Sequence, residues 1–139
     1  MARPLTLAVA QSGAVQKDDS REKTIGRLCK MMADAADMGC DLICYPELAL
    51  TTFFPRWYFE DQDEVDTYFE TAMPSNETQP LFEAAKRYGM GFHLGYAEKI
   101  VEDGETHRYN TAILVDKAGD IVGKYRKIHL PGHGEYDPE

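Results

Sequence analysis

Two stretches of this sequence hold residue types suited to proton transfer and charge stabilisation. In Tyr45-Pro46-Glu47-Leu48 a carboxylate follows directly on the apolar run Asp41-Leu42-Ile43-Cys44-Tyr45. Ligands and catalytic groups collect at strand ends in open α/β sheets. The apolar neighbours Tyr45, Pro46, Leu48, Ala49 and Leu50 make full exposure of Glu47 hard to arrange. Enclosure raises a carboxyl pKa, which suits a general base near neutrality; the alternative is a surface carboxylate at a loop start, the usual place for Glu. The second stretch is Lys124-Tyr125-Arg126-Lys127-Ile128-His129-Leu130-Pro131-Gly132-His133. Lys127 and His129, two apart in an extended arm, would share a face with Tyr125 at roughly 7 Å spacing and line one wall. From periodicity alone, Lys124, Arg126 and Lys127 fit better as a solvated edge strand whose charges deter pairing with other chains.

The elements that must position these groups follow from apolar spacing. Leu5 to Ala10 is a nearly continuous apolar run, as in a strand covered on both faces of a mostly parallel sheet. Ser20 suits a helix cap, Ile25, Leu28, Cys29, Met32, Ala35 and Ala36 recur at helical spacing, and Gly39 supplies a stop. Asp41 to Tyr45 then completes a strand-helix-strand unit with an expected right-handed crossover. Thr51 to Trp57 has no regular pattern, and the acidic segment Asp61 to Glu70 reads as a short helix. Pro80, the stripe Leu81, Ala84, Ala85 and Tyr88, and Gly89 mark a second amphipathic helix. Gly91 to Glu98 reads as a third strand. Arg108 to Val115 and Ile121 to His129 flank the turn Asp116-Lys117-Ala118-Gly119-Asp120 as a hairpin. The order is that of an α/β layered domain.

Composition excludes several functions. A net charge of -9 disfavours nucleic acid and anionic lipid as partners. No segment has the apolar length of a membrane span, and Met1-Ala2-Arg3-Pro4-Leu5 does not open a signal peptide, so a cytoplasmic protein is expected. Three cysteines, Cys29, Cys40 and Cys44, form no disulfide framework and read as free thiols acting as small hydrophobes. His129 and His133 have the spacing of helical zinc ligands, but Pro131-Gly132 would break such a helix. No phosphate loop or dinucleotide fingerprint is present, and neither a metal nor a cofactor is expected.

The blocks around Glu47 and Lys127 resemble the nitrilase superfamily of carbon-nitrogen hydrolases. The similarity continues through Glu47-Leu48-Ala49-Leu50-Thr51-Thr52-Phe53-Phe54-Pro55-Arg56-Trp57, Gly91-Phe92-His93-Leu94-Gly95-Tyr96-Ala97-Glu98 and Ile113-Leu114-Val115-Asp116-Lys117. The Thr51 to Trp57 stretch is most similar to N-carbamoyl-D-amino-acid amidohydrolases. The resemblance implies an α/β fold, the N-terminal half of a nitrilase-like α-β-β-α sandwich that forms homo-oligomers when full length. Residues 1-139 would be a single incomplete domain, truncated before the nucleophilic cysteine. It further implies a Cys-Glu-Lys mechanism with Glu47 and Lys127 as catalytic residues and His129 as a substrate-binding residue in the pocket wall. The small-molecule substrate would be an N-carbamoyl-D-amino acid, cleaved to the amino acid, ammonia and carbon dioxide. Two alternatives stay open: an inactive binding or subunit-pairing module of the same fold, and a related amidase or β-ureido acid hydrolase. The isolated chain is expected to be inactive.

Overall fold

The computed structural model describes residues 4–130; His133 and the segment after it lie outside the described residues. Ser20 accepts a hydrogen bond from the backbone N–H of Lys23 and caps α1 (Arg21–Asp37), which ends before Gly39 at a φ of 75°. Its buried stripe is Thr24, Ile25, Leu28, Met32 and Ala35, close to the spacing read from sequence. Helix α1 connects β1 (Leu7–Val9) to β2 (Leu42–Cys44), and the two strands pair in parallel. Phe54–Arg56 forms a single 3-10 turn, a regular element inside a stretch expected to have none, and Pro55 suits its first turn. The acidic segment is helical only over α2 (Gln62–Asp66). Glu70 leaves that helix altogether and makes an isolated parallel bridge with Glu98.

Helix α3 (Gln79–Tyr88) closes on Gly89 in the left-handed conformation and packs beside α1. Leu81, Phe82, Ala84 and Ala85 are buried, whereas Tyr88, expected on the same stripe, is exposed at the helix end. β3 (Gly91–Glu102) pairs in parallel with β2, then in antiparallel fashion with β4 (Glu105–Val115), which pairs with β5 (Ile121–Arg126). The result is a mixed five-stranded sheet in the order β1-β2-β3-β4-β5. The β3–β4 hairpin is longer than the sequence reading allowed and turns at Asp103-Gly104, both at positive φ (52° and 81°). That pair is a standard two-residue hairpin signal. The β4–β5 turn follows expectation: Asp116 Oδ1 accepts from the backbone N–H of Ala118 and Asp120, and Gly119 has a φ of 79°.

Side chains alternate across this sheet. Phe92, Leu94 and Tyr96, with their partners Val115, Ile113 and Thr111, face α1 and α3, and the rings of Phe82 and Phe92 meet edge to face at 5.2 Å. The other set, His93, Gly95 and Ala97 opposite Leu114, Ala112 and Asn110, lies on the far face. The β1 expectation needs correction here: Leu7 and Val9 are 54% and 87% exposed, because β1 is an edge strand covered on the helix side alone among the described residues. Cys29, Cys40 and Cys44 are free and only partly buried.

Candidate active site

Glu47 sits on a backbone elbow built by three constraints. β2 ends at Cys44, and the Tyr45 N–H still donates to His93 O at 3.0 Å. Leu48 then adopts a φ of 49°, unusual for a branched side chain, and turns the chain so that Ala49 N–H reaches Gly95 O at 2.9 Å. Gly95 makes the close approach feasible, since a Cβ there would lie 2.9 Å from Glu47 Cα. The elbow is held from below by Leu48, Phe54 and Ala97, joined by Trp57, Phe59, Tyr68 and Phe69. Arg21, at the start of α1, donates to Leu50 O from the other side.

Lys127 follows the last residue of β5, and its backbone N–H donates to Asn110 O at 2.8 Å, extending the ladder by one bond. Its Nζ lies 2.8 Å from Glu47 Oε1. Asn110 Nδ2 donates to the same oxygen at 2.6 Å. Glu47 and Lys127 are therefore brought together on the sheet face away from α1 and α3, the face onto which α2 packs. Beside Glu47 runs a groove of about 270 Å³ lined by Ser12, Gln16, Thr51, Phe53 and Arg56 among others. His129 is exposed beyond the end of β5 and neither bonds to Glu47 nor lines this groove.

The electrostatics of Glu47 reverse the expectation from enclosure. Its side chain is 44% exposed, and the Lys127 ammonium holds its carboxyl below the ordinary carboxylate range, with a smaller contribution from Asn110. Burial acts the other way and is outweighed by the ammonium. Glu47 thus rests as an ionised carboxylate at neutral pH. Asn110 was not singled out from sequence; the available signal was a polar amide in the middle of the strand run Arg108 to Val115, where Asn is disfavoured.

The helix-side face of the same strands carries a separate charge cluster. Glu98, 4% exposed, accepts from Arg126 Nε at 2.8 Å, Thr111 Oγ1 at 2.9 Å and Lys124 Nζ. Burial pushes its carboxyl up, but these donors outweigh it and hold Glu98 below its usual range. Lys124 and Arg126 stay partly solvated on the edge strand β5 but are paired to Glu98 and are not part of the Glu47 face; alternation turns them to the opposite side from Lys127. Near the far end, Asp66 of α2 takes a two-point contact from Arg108 at 2.6 and 2.8 Å and one from Lys99 at 2.9 Å, clamping α2 onto the sheet.

A mixed α/β layer with a carboxylate and an ammonium converging at strand ends has the layout of an enzyme site. The carbon-nitrogen hydrolase family model matches residues 6–139, and the chain belongs to that family. It is 37% identical over 112 residues to a nitrilase of Pyrococcus abyssi, covering 78% of this chain and 38% of that protein. It is 30% identical over 114 residues to a beta-ureidopropionase of Arabidopsis thaliana, covering 78% of this chain and 26% of the relative. The chain thus spans well under half the length of these curated relatives. A crystal structure of a carbon-nitrogen hydrolase from Helicobacter pylori G27 superposes with a TM-score of 0.71 at 23% identity, covering 91% of this chain and 40% of that one. That likeness bears on the fold, which is nitrilase-like over the part covered. No helix among the described residues is long and apolar enough to cross a membrane.

Proposed function

We propose that this chain supplies the general base and the oxyanion-stabilising cation of a carbon-nitrogen hydrolase acting on N-carbamoyl-D-amino acids, the nucleophilic cysteine coming from outside residues 1-139. The observation that carries this reading is the 2.8 Å contact between Glu47 and Lys127 beside an open groove. Glu47 takes the thiol proton, and the thiolate attacks the ureido carbonyl carbon to give a tetrahedral oxyanion. Lys127 has three N–H donors and spends one on Glu47, so two are left for that oxyanion. As the ammonium is drawn to the oxyanion, Glu47 loses its strongest stabilising partner and its acidity returns toward normal, so the proton it has taken stays on the carboxyl until the leaving nitrogen accepts it. Glu47 then returns the proton to the amino acid nitrogen as the C–N bond breaks. It next takes a proton from the water that attacks the carbamoyl thioester and passes it to the cysteine thiolate as the C–S bond breaks, and the released carbamic acid falls to ammonia and carbon dioxide.

A second reading, hydrolysis of a β-ureido acid, draws on the similarity to a beta-ureidopropionase. His129 does not line the groove beside Glu47, so its proposed place in the substrate-pocket wall needs a further segment to complete that wall; the functional assembly is proposed to be a homo-oligomer in the cytoplasm. The test is expression of the locus read past codon 139, with ammonia release measured from N-carbamoyl-D-amino acids, their L-enantiomers and a β-ureido acid. Turnover of the D-substrates, lost in Glu47→Gln and Lys127→Met, is expected. Turnover of none of the three by a folded protein would overturn the reading, and preference for the β-ureido acid would select the alternative.

A further inference from the structure

We infer that Asn110 is the positioning residue of this site, and that its side-chain hydrogen bond, together with that of Lys127, occupies Glu47 Oε1 and leaves Oε2 as the oxygen that exchanges the proton. The inference rests on the hydrolase reading for its catalytic meaning, but its geometric core stands apart from it. Asn110 touches both members of the pair by different groups. Its side-chain Nδ2 donates to Glu47 Oε1 at 2.6 Å, and its backbone carbonyl accepts the Lys127 N–H at 2.8 Å. Lys127 Nζ closes the ring on the same Oε1 at 2.8 Å. The amide can face Glu47 only by its NH2 group, since a carboxylate accepts and does not donate.

Position explains why one residue can do this. Asn110 lies on β4 directly opposite Ala97, two residues beyond Gly95, the glycine against which the Glu47 elbow packs. The next residue, Thr111, is in register with Arg126, so Lys127 emerges from β5 beside Asn110. A shorter side chain at 110 would fail to reach the carboxylate, and an apolar one of equal length would leave Oε1 with a single donor. Two donors already engage Oε1, which has two lone pairs to offer. Oε2 has no hydrogen-bond partner among the described residues, so the carboxylate is held at one end and free at the other. A base fixed in this way keeps its reactive oxygen aimed without a large conformational search.

Lys127 is the charged group facing Glu47 from β5, and Arg56 lines the same groove from the loop after β2. Both remain in the variants that test Asn110. Asn110→Ala removes the donor, and Asn110→Asp keeps the shape while replacing the donor with an acceptor. Two readouts are needed. The first is the titration of the Glu47 side-chain carboxyl followed by 13C NMR, which requires no turnover. The second is the pH profile of kcat and KM for N-carbamoyl-D-amino acids in the longer polypeptide that carries the thiol. In both variants Glu47 should titrate at higher pH than in the parent. The acid limb of kcat should follow, with kcat down roughly 10- to 100-fold and KM changed less than about threefold, as expected when a hydrogen bond to a charged group is lost from the reacting assembly.

A merely structural role would lower thermal stability and leave the Glu47 titration and the pH profile in place. An unmoved Glu47 titration in folded protein overturns the inference, as does a moved titration with parental kcat. If Asn110→Ala does not fold, Asn110→Asp decides. If the parent protein turns over no carbamoyl substrate yet its Glu47 titration depends on Asn110, the hydrolase reading fails and the anchoring of Glu47 stands.

Discussion

Substituting Gly95 by alanine should damage the site without touching either of its charged groups. A Cβ at this position would lie 2.9 Å from Glu47 Cα, 3.0 Å from Pro46 O and 3.1 Å from Leu48 N, all backbone atoms, where ordinary contact begins at 3.4 Å. β3 and the elbow must part by about half an ångström, and the elbow is already turned through the strained Leu48 and fastened to Gly95 O by Ala49 N–H. Overpacking of this kind costs roughly 1–3 kcal/mol. For a chain of this size each kcal/mol moves the melting temperature roughly 3 to 5 °C. A misplacement of about 1 Å costs on the order of 100-fold in rate, so about half that displacement should cost roughly tenfold in kcat. The control is Gly26→Ala, at an exposed helical position with nothing within 4 Å of the added methyl, which should instead stabilise by about 0.5–1 kcal/mol. Thermal unfolding and ammonia release, measured on both variants in the longer polypeptide, check this. A Gly95→Ala protein with parental melting temperature and parental kcat would refute the account of how Glu47 is held.

Other consequences can be measured separately. Glu98→Ala leaves Lys124 and Arg126 facing a buried vacancy; the loss should be about 2 kcal/mol, below the roughly 3–5 of a fully buried pair, because both cations are more than a third exposed or nearly so and can turn to water. Denaturant unfolding measures it. Arg108 holds the Asp66 carboxyl well below its ordinary 3.8, so its contribution is present above that value and is lost as pH falls through the acid range; Asp66→Asn should flatten the acid limb of a stability-against-pH curve. The isolated 139-residue chain should release no ammonia from N-carbamoyl-D-amino acids above buffer, since a covalent mechanism without its nucleophile retains little activity; measurable turnover would refute the assignment of the nucleophile to another segment.

The sequence alone determined the elements whose cause is local. Ser20 and Gly39 bound α1 because caps and left-handed stops act on the backbone beside them, and Pro80 and Gly89 do the same for α3. The Glu47 and Lys127 blocks were legible for a different reason, their likeness to a family pattern. The Asp103-Gly104 turn was equally available and passed over, so β3 was read four residues short. What only the tertiary structure decided is every property that depends on a partner distant in the chain. Arg126 and Lys127 are adjacent in sequence, yet alternation sends one to buried Glu98 and the other to Glu47 on the opposite face. Leu7 and Val9 look like core residues and are exposed, because burial depends on what lies across the sheet. Glu47 was expected to be raised by apolar neighbours and is lowered, because an ammonium at 2.8 Å outweighs burial, and that ammonium and Asn110 reach it only when β4 and β5 fold beside β3. Local chemistry can be read along a chain; a carboxylate's charge state is set by the groups that folding brings within a few ångströms of it.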